Sequence, residues 1–369
     1  MSLMTAARLH KVGQPLQLDE IAVPKLEGKD VLVRVRACGV VPNLKNVVEK
    51  YPEWFPFLPL PALPAIYGLD PSGEIAAIGP DVLGVRPGQR VYVNPLRSCG
   101  NCYKCRHGAE KACPSLAVAG YFGFAPGARK TYERYPWGGF AEYMVAPSSS
   151  IVVLPDEVSF EDGARFGYLG TSYGALRRAK VGPDTTLLVN GATGTLGVGA
   201  ILLALAMGVP KILAVARSEA LLGRLRLLAP KRIVTHSNNT GPCTDWARAQ
   251  TEGFGPDVVL EALSPNAPVE ATMSAMMSVS RCGTVVTVGG MDTKLPVDPI
   301  WLMSSDVSYV GSCWFTTGEG EDMARMVEAG ILDLSQLTHH RFPLASVNEA
   351  IEAAQHRNLG GFDNIVVML

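Results

Sequence analysis

The sequence predicts an α/β fold in which a doubly wound parallel sheet follows a β-rich, loop-rich domain, and three observations carry that expectation. The first is the stretch Thr185-Thr186-Leu187-Leu188-Val189-Asn190-Gly191-Ala192-Thr193-Gly194-Thr195-Leu196-Gly197-Val198-Gly199, where an apolar run ends at a G-x-x-G-x-x-G turn. The turn opens into Ala200-Ile201-Leu202-Leu203-Ala204-Leu205-Ala206-Met207, apolar on every side and therefore a buried helix. The second is the alternation that follows, short β-branched runs between helix-length segments, as in parallel βαβ crossovers. The third is the texture before it: short alternating runs punctuated by Gly and Pro.

Strand, glycine turn and buried helix make the first half of a dinucleotide-binding βαβ unit. Glycines let the backbone approach a pyrophosphate, and the helix N-terminus offers free N–H groups and partial positive charge. Gly191, Gly194, Thr195, Leu196 and Gly197 are thus the expected phosphate-side residues. Gly208 closes the helix, and residues 211–216 form the second strand. An NAD-selective unit ends this strand with an acid that binds the ribose 2′-hydroxyl and repels a 2′-phosphate. Here that position holds Ala216, followed by Arg217 and Ser218. A guanidinium and a hydroxyl suit a phosphate, so NADP(H) is the expected cofactor. A helix over 218–228, strands at 232–235 and 257–261, a helix over 268–278 and a strand at 283–290 complete the unit.

Ahead of it, strands are expected at 16–18, 31–36, 73–78, 90–93 and 140–145. Behind it come amphipathic helices around 322–329 and 346–355 and a β-like end at 364–368. A chain of 369 residues holds about two domains. With 47% hydrophobic and 18% charged residues and a net charge of −1, nothing points to a nucleic-acid partner or a disordered tail. Apolar runs such as 201–207 are too short to span a bilayer, and the N-terminus lacks the apolar core of a secretion signal. A cytoplasmic protein with no membrane partner is expected.

Four of the eight cysteines, Cys99, Cys102, Cys105 and Cys113, form a C-x2-C-x2-C-x7-C array. Four thiolates at this spacing can close a tetrahedron around Zn²⁺, leaving no open position for water or substrate. One structural Zn²⁺ clamping a lobe at about 97–115 is expected. His107 lies inside the array but outside a shell that four sulfurs already fill.

The array, the turn Val85-Arg86-Pro87-Gly88-Gln89-Arg90, the segment Gly138-Gly139-Phe140-Ala141-Glu142-Tyr143 and the glycine turn follow one another in a telling order. Together they resemble the medium-chain dehydrogenase/reductase superfamily over nearly the whole chain, and the cysteines resemble its zinc alcohol dehydrogenase branch. The resemblance implies a GroES-like catalytic domain (1–168 and 313–369) into which a Rossmann domain (169–312) is inserted. It implies Thr171 and the backbone of Val288, Gly289 and Gly290 at the nicotinamide, a small-molecule substrate, and a homodimer or homotetramer. It also implies a second, catalytic zinc, and a basic residue on the pyrophosphate whose position falls at Asp363 or Asn364.

The catalytic zinc is where the chain departs. The family's three ligand positions fall at Val41, Leu69 and Gly167, none of which can coordinate zinc. Cys38 falls at a position that is not a ligand. The motif Gly68-Leu69-Asp70-Pro71-Ser72-Gly73 resembles the G-x-D-x-x-G of zinc-free quinone oxidoreductases. Groups that could act in place of the metal are Asn43 and Lys45, as donors to developing oxyanion charge, and Tyr168, as a proton donor. Asp70 is a fourth candidate, with a structural role beside an arginine as its alternative. Each could equally be a packing or solvent-facing residue. Two aromatic stretches, 51–61 and 121–135, could line the cleft, the second as a lid, or simply pack on the surface.

The expected function is NADP(H)-dependent hydride transfer to a polarised C=C or carbonyl (an enone, quinone or ketone) without catalytic zinc. The rivals are a zinc-independent alcohol dehydrogenase or ketone reductase, and an NADPH-binding protein without chemistry.

Overall fold

The structure, a computed structural model, describes residues 2–50, 53 and 56–369. Tyr51, Pro52, Trp54 and Phe55 of the first aromatic stretch lie outside the described residues.

Six parallel strands form the nucleotide-domain sheet, in the spatial order Ile233–Ser237, Lys211–Ala216, Thr186–Asn190, Val258–Glu261, Thr284–Thr287, Ser308–Gly311. Chain order reverses between Thr186–Asn190 and Val258–Glu261, so the crevice beyond their carboxyl ends is the topological switch point where such sheets bind ligands. The central strands are covered on both faces, which is why they read as unbroken apolar runs. The helix Thr195–Ala206 buries Val198, Ile201, Leu202 and Leu203 on successive faces. The sixth strand, only four residues long and largely exposed, has no apolar periodicity to announce it.

The β-rich domain is organised around Asp30–Gly39, which pairs antiparallel with Asp70–Ile78, Tyr143–Pro147 and the last strand, Asp363–Met368. Thr338–Pro343 runs parallel to that last strand as an edge strand. The imidazoles of His339 and His340 sit on the carboxylates of Asp162 (3.1 Å) and Asp363 (2.7 Å).

Each domain has its own apolar core, one containing Val33, Ile75 and Phe140, the other Leu187, Ile201 and Phe315. The helix Phe166–Arg178 crosses from one to the other. Its Phe166 and Leu169 join the nucleotide-domain core, while Tyr168 packs against the first. The second aromatic stretch does not hang free as a lid. Its helix Ala128–Arg134 is tied down by the buried Tyr132, by Thr131 on the Ser115 carbonyl (2.7 Å) and by Arg134 on the buried Asp30 (2.5 Å). No helix among the described residues is long and apolar enough to cross a membrane.

Candidate active site and cysteine cluster

The glycine turn lies at the switch point. Gly191 adopts φ +82°, and a Cβ at Gly197 would land on the Gly191 carbonyl oxygen, so only glycine lets the helix start this close to the strand. Gly194 caps the helix, leaving the N–H groups of Thr195, Leu196 and Gly197 without carbonyls behind them. The short turn Gly360–Phe362 lies across this end, with the Gly361 amide on the Thr193 carbonyl (2.8 Å).

Two arginines converge here. Arg357 donates to the Thr195 hydroxyl, and Arg165 donates to the carbonyls of Thr195 (3.3 Å) and Gly361 (2.6 Å). Arg165 is buried, and its Nε has no partner among the described residues. Burial pushes its pKa down to about 10, with the nearby Arg357 adding to the effect, yet it stays charged at neutral pH. Neither Asp363 nor Asn364 is basic, but Arg357, six positions upstream of Asp363, brings a guanidinium to this helix end. Asp363 accepts instead from the Leu359 amide and His340, and Asn364 donates to the Glu161 carbonyl. A helix N-terminus flanked by two guanidiniums is built for an anion. Sequence spacing missed both arginines because neither lies in a motif; only the return of the tail across the turn brings them together.

At the far end of the crevice the strand Lys211–Ala216 ends without an acid. Arg217 is exposed, and its carbonyl is fixed by Ser237 (3.2 Å) and Asn239 (3.0 Å). Ser218 caps the next helix by accepting from the Leu221 amide at 3.4 Å, which leaves its O–H to donate elsewhere. At the near end, Thr171 lies one turn along its helix from Tyr168, its hydroxyl on the Gly167 carbonyl (2.8 Å). The amides of Val288 and Gly289 both donate to the Glu261 carbonyl, so what this strand end offers the crevice is carbonyl oxygens.

The four candidates for replacing the metal separate clearly. The Lys45 ammonium is paired with Glu352 at 2.5 Å, on the helix Val347–Ala353, so its charge is already partly met outside the cleft. Asn43 starts the helix Leu44–Glu49; its amide accepts from Asn46 (3.0 Å) and donates to the Tyr121 hydroxyl (3.4 Å). Asp70 is buried and accepts from the Tyr92 hydroxyl at 2.9 Å. Burial raises its pKa to about 7, against the lowering effects of Tyr92, Arg165 and the Gly167 backbone. Tyr168 is half-buried, with the Arg165 guanidinium 5.5 Å from its ring centre. Its hydroxyl has no hydrogen-bond partner among the described residues.

The family's catalytic zinc does not fit these residues. Val41 and Leu69 are buried in the apolar core, and a Cβ at Gly167 would land on Asp70 Oδ1. Cys38 is fully buried against Gly68 and Gly139, and burial pushes its thiol well above the usual value. The cysteine array does fit. The sulfurs of Cys99, Cys102, Cys105 and Cys113 all lie within 4.8 Å of one another, close to the roughly 3.8 Å separations of a tetrahedron with Zn–S bonds of about 2.3 Å. Backbone amides of Cys99 and Ser115 point at the Cys113 sulfur, and that of Cys105 at Cys102. Among the described residues this is the one place where three or more His, Cys, Asp or Glu side chains converge for a metal.

Comparison with known proteins identifies the family of both domains. Residues 27–156 match the alcohol dehydrogenase GroES-like domain, and residues 195–329 match the zinc-binding dehydrogenase family. The chain is 31% identical over 365 residues to an NAD-dependent alcohol dehydrogenase of Sulfurisphaera tokodaii, covering 95% of this chain and 96% of that one. It is 26% identical to a sorbitol dehydrogenase of Bacillus subtilis, covering 95% and 93%. A crystal structure of an NAD-dependent alcohol dehydrogenase superimposes with a TM-score of 0.81 at 24% identity, covering 99% and 100%. Another, a zinc-binding dehydrogenase from Sinorhizobium meliloti bound to NADP, gives 0.81 at 22%, covering 100% of both. The chain belongs to the medium-chain dehydrogenase/reductase superfamily, in its zinc alcohol dehydrogenase-like branch, and is an oxidoreductase of the dehydrogenase type.

Proposed function

We propose that this chain is an NADP(H)-dependent reductase of polarised acceptors, conjugated C=C or quinone-like carbonyl, that works without a catalytic metal and holds one structural zinc. The observation that carries the reading is the space beside Gly167, filled by the Asp70 carboxyl where a third zinc ligand would have to project. Zinc in such a cleft polarises a carbonyl and lowers the pKa of a bound alcohol. Without it a saturated alcohol is hard to deprotonate near neutral pH, whereas reduction of an already polarised acceptor needs only hydride and a proton.

When bound, the nicotinamide cofactor supplies the hydride. The chain's own residues hold and orient it: the Thr195–Gly197 amides with Arg357 and Arg165 at the pyrophosphate, Arg217 and Ser218 at the 2′-phosphate, and Thr171 beside the ring. The four cysteines hold zinc in a closed site that clamps the lobe and takes no part in the reaction. Relatives named as NAD-dependent alcohol dehydrogenases favour a second reading, a metal-independent alcohol dehydrogenase or ketone reductase in the same cleft.

Three measurements on one preparation decide between them. Zinc per chain, on protein purified without added metal or chelator, is expected to be one; two would overturn the metal-free cleft. NADPH is expected to outcompete NADH. With 2-cyclohexen-1-one and cyclohexanone as a matched pair, consumption of the enone supports the first reading and of the ketone alone the second.

A further inference from the structure

We infer that Tyr168 is the proton donor of this cleft, doing by hydrogen bonding what a metal does in zinc-dependent relatives. The inference rests on the metal-free reading above. Of the four candidates, Lys45, Asn43 and Asp70 each already have a side-chain partner within the protein: Glu352, Asn46 with Tyr121, and Tyr92. Tyr168 alone presents a donor with no partner among the described residues. It stands one residue beyond Gly167, and it packs on the catalytic-domain core while its neighbours Phe166 and Leu169 join the nucleotide-domain core. That places it on the interdomain face. Thr171, three residues on, shares this helix face and thereby sets the phenol next to the expected nicotinamide position.

The surroundings suit a phenol that must release a proton and take it back. Arg165 lies over the ring at 5.5 Å, and the positive charges of Arg165 and Arg357 both favour the phenolate. Asp70 opposes them. Burial, with Asp70 adding to it, outweighs both arginines and pushes the hydroxyl up to about 12, so at neutral pH it is protonated and able to donate. The step balances as follows. The reduced nicotinamide, when bound, would supply a hydride with its electron pair to the electrophilic carbon, and the C=O π pair (through the C=C in an enone) would move onto oxygen. The O–H bond of Tyr168 breaks and its proton goes to that oxygen, leaving a phenolate beside the two guanidiniums, which water reprotonates. The nicotinamide is oxidised and the acceptor reduced by two electrons.

The test uses the full-length protein and does not depend on knowing the substrate. 4-(Dimethylamino)cinnamaldehyde, whose absorption moves to the red when its carbonyl oxygen accepts a strong hydrogen bond, is added to the complex with NADP⁺. A red shift in the wild type that is lost in Tyr168→Phe supports the assignment. Absence of a shift in the wild type, or its retention in the variant, overturns it. With 2-cyclohexen-1-one, Tyr168→Phe should lower kcat about 100- to 1,000-fold while NADPH affinity, read by fluorescence, changes less than twofold. An unchanged kcat, or a loss confined to NADPH affinity, overturns the assignment as well. Zinc content separates the two failures: one zinc per chain with a variant as active as the wild type condemns only the tyrosine, and two condemn the metal-free cleft itself.

Discussion

The carboxyl of Asp70 lies in the space that a side chain at Gly167 would occupy. The two positions sit on different elements, the strand Asp70–Ile78 and the helix Phe166–Arg178, so the glycine is there because the carboxyl is. Gly167→Ala should therefore destabilise the protein by about 1–3 kcal/mol, the usual cost of overpacking a closed core. Urea unfolding would show it. Gly167→Cys should bind no additional zinc by elemental analysis, since Asp70 already fills the cavity.

Asp70 gives the fold a pH signature. Its pKa is about 7 in the folded chain against 3.8 unfolded, so between these values the folded state binds more protons than the unfolded state. Its contribution to stability is full below about pH 4 and is lost as pH rises through 7. Asp70→Asn cannot ionise. Its unfolding midpoint should therefore gain on the wild type between pH 5 and pH 8, and a difference that stays flat would show Asp70 to be ionised throughout.

Arg357 and Arg165 flank one helix N-terminus but should not be equivalent. If Arg357 meets the pyrophosphate as proposed, Arg357→Gln should weaken NADPH binding about 10- to 100-fold, less so at high salt. Arg165→Leu also unpins Gly361 from Thr195, and should lower the melting temperature as well as the affinity. Fluorescence titration with a thermal melt separates the two effects.

Cofactor choice should follow the end of the strand Lys211–Ala216. Arg217→Ala is expected to cost NADPH about tenfold or more in kcat/KM while leaving NADH nearly unchanged, because the guanidinium meets only a 2′-phosphate. Ala216→Asp combined with Arg217→Ala should reverse the preference.

The cysteine lobe should be separable from the chemistry. Cys105→Ser should lower zinc content from one per chain and reduce the melting temperature, while the kcat of the molecules that remain folded changes little. A large fall in kcat at full folding would place the metal in the reaction.

Much of this molecule is local in sequence. Strand, glycine turn and buried helix occupy one continuous stretch, and the four cysteines fall within 99–113, so hydrophobic pattern, turn chemistry and ligand spacing announce them directly. The same holds for the missing acid at Ala216 and for the side chains at Val41, Leu69 and Gly167 that cannot bind zinc. The edge strands Ser308–Gly311 and Thr338–Pro343 were not legible, because short, half-exposed strands bury no periodic face.

Tertiary structure decided what linear spacing could not carry. Lys45 is claimed by Glu352, more than three hundred residues along the chain, and the second aromatic stretch is fastened by Asp30, about a hundred residues before it. The N-terminus of the helix Thr195–Ala206 takes Arg357 from the tail and Arg165 from the head of the interdomain helix, and Tyr168 is left between two cores with a hydroxyl that has no partner among the described residues. A motif records which residues a backbone turn or a metal needs close together in the chain. Which charges neutralise one another, and which donor remains unpaired, depends on distances that exist only once the chain has folded.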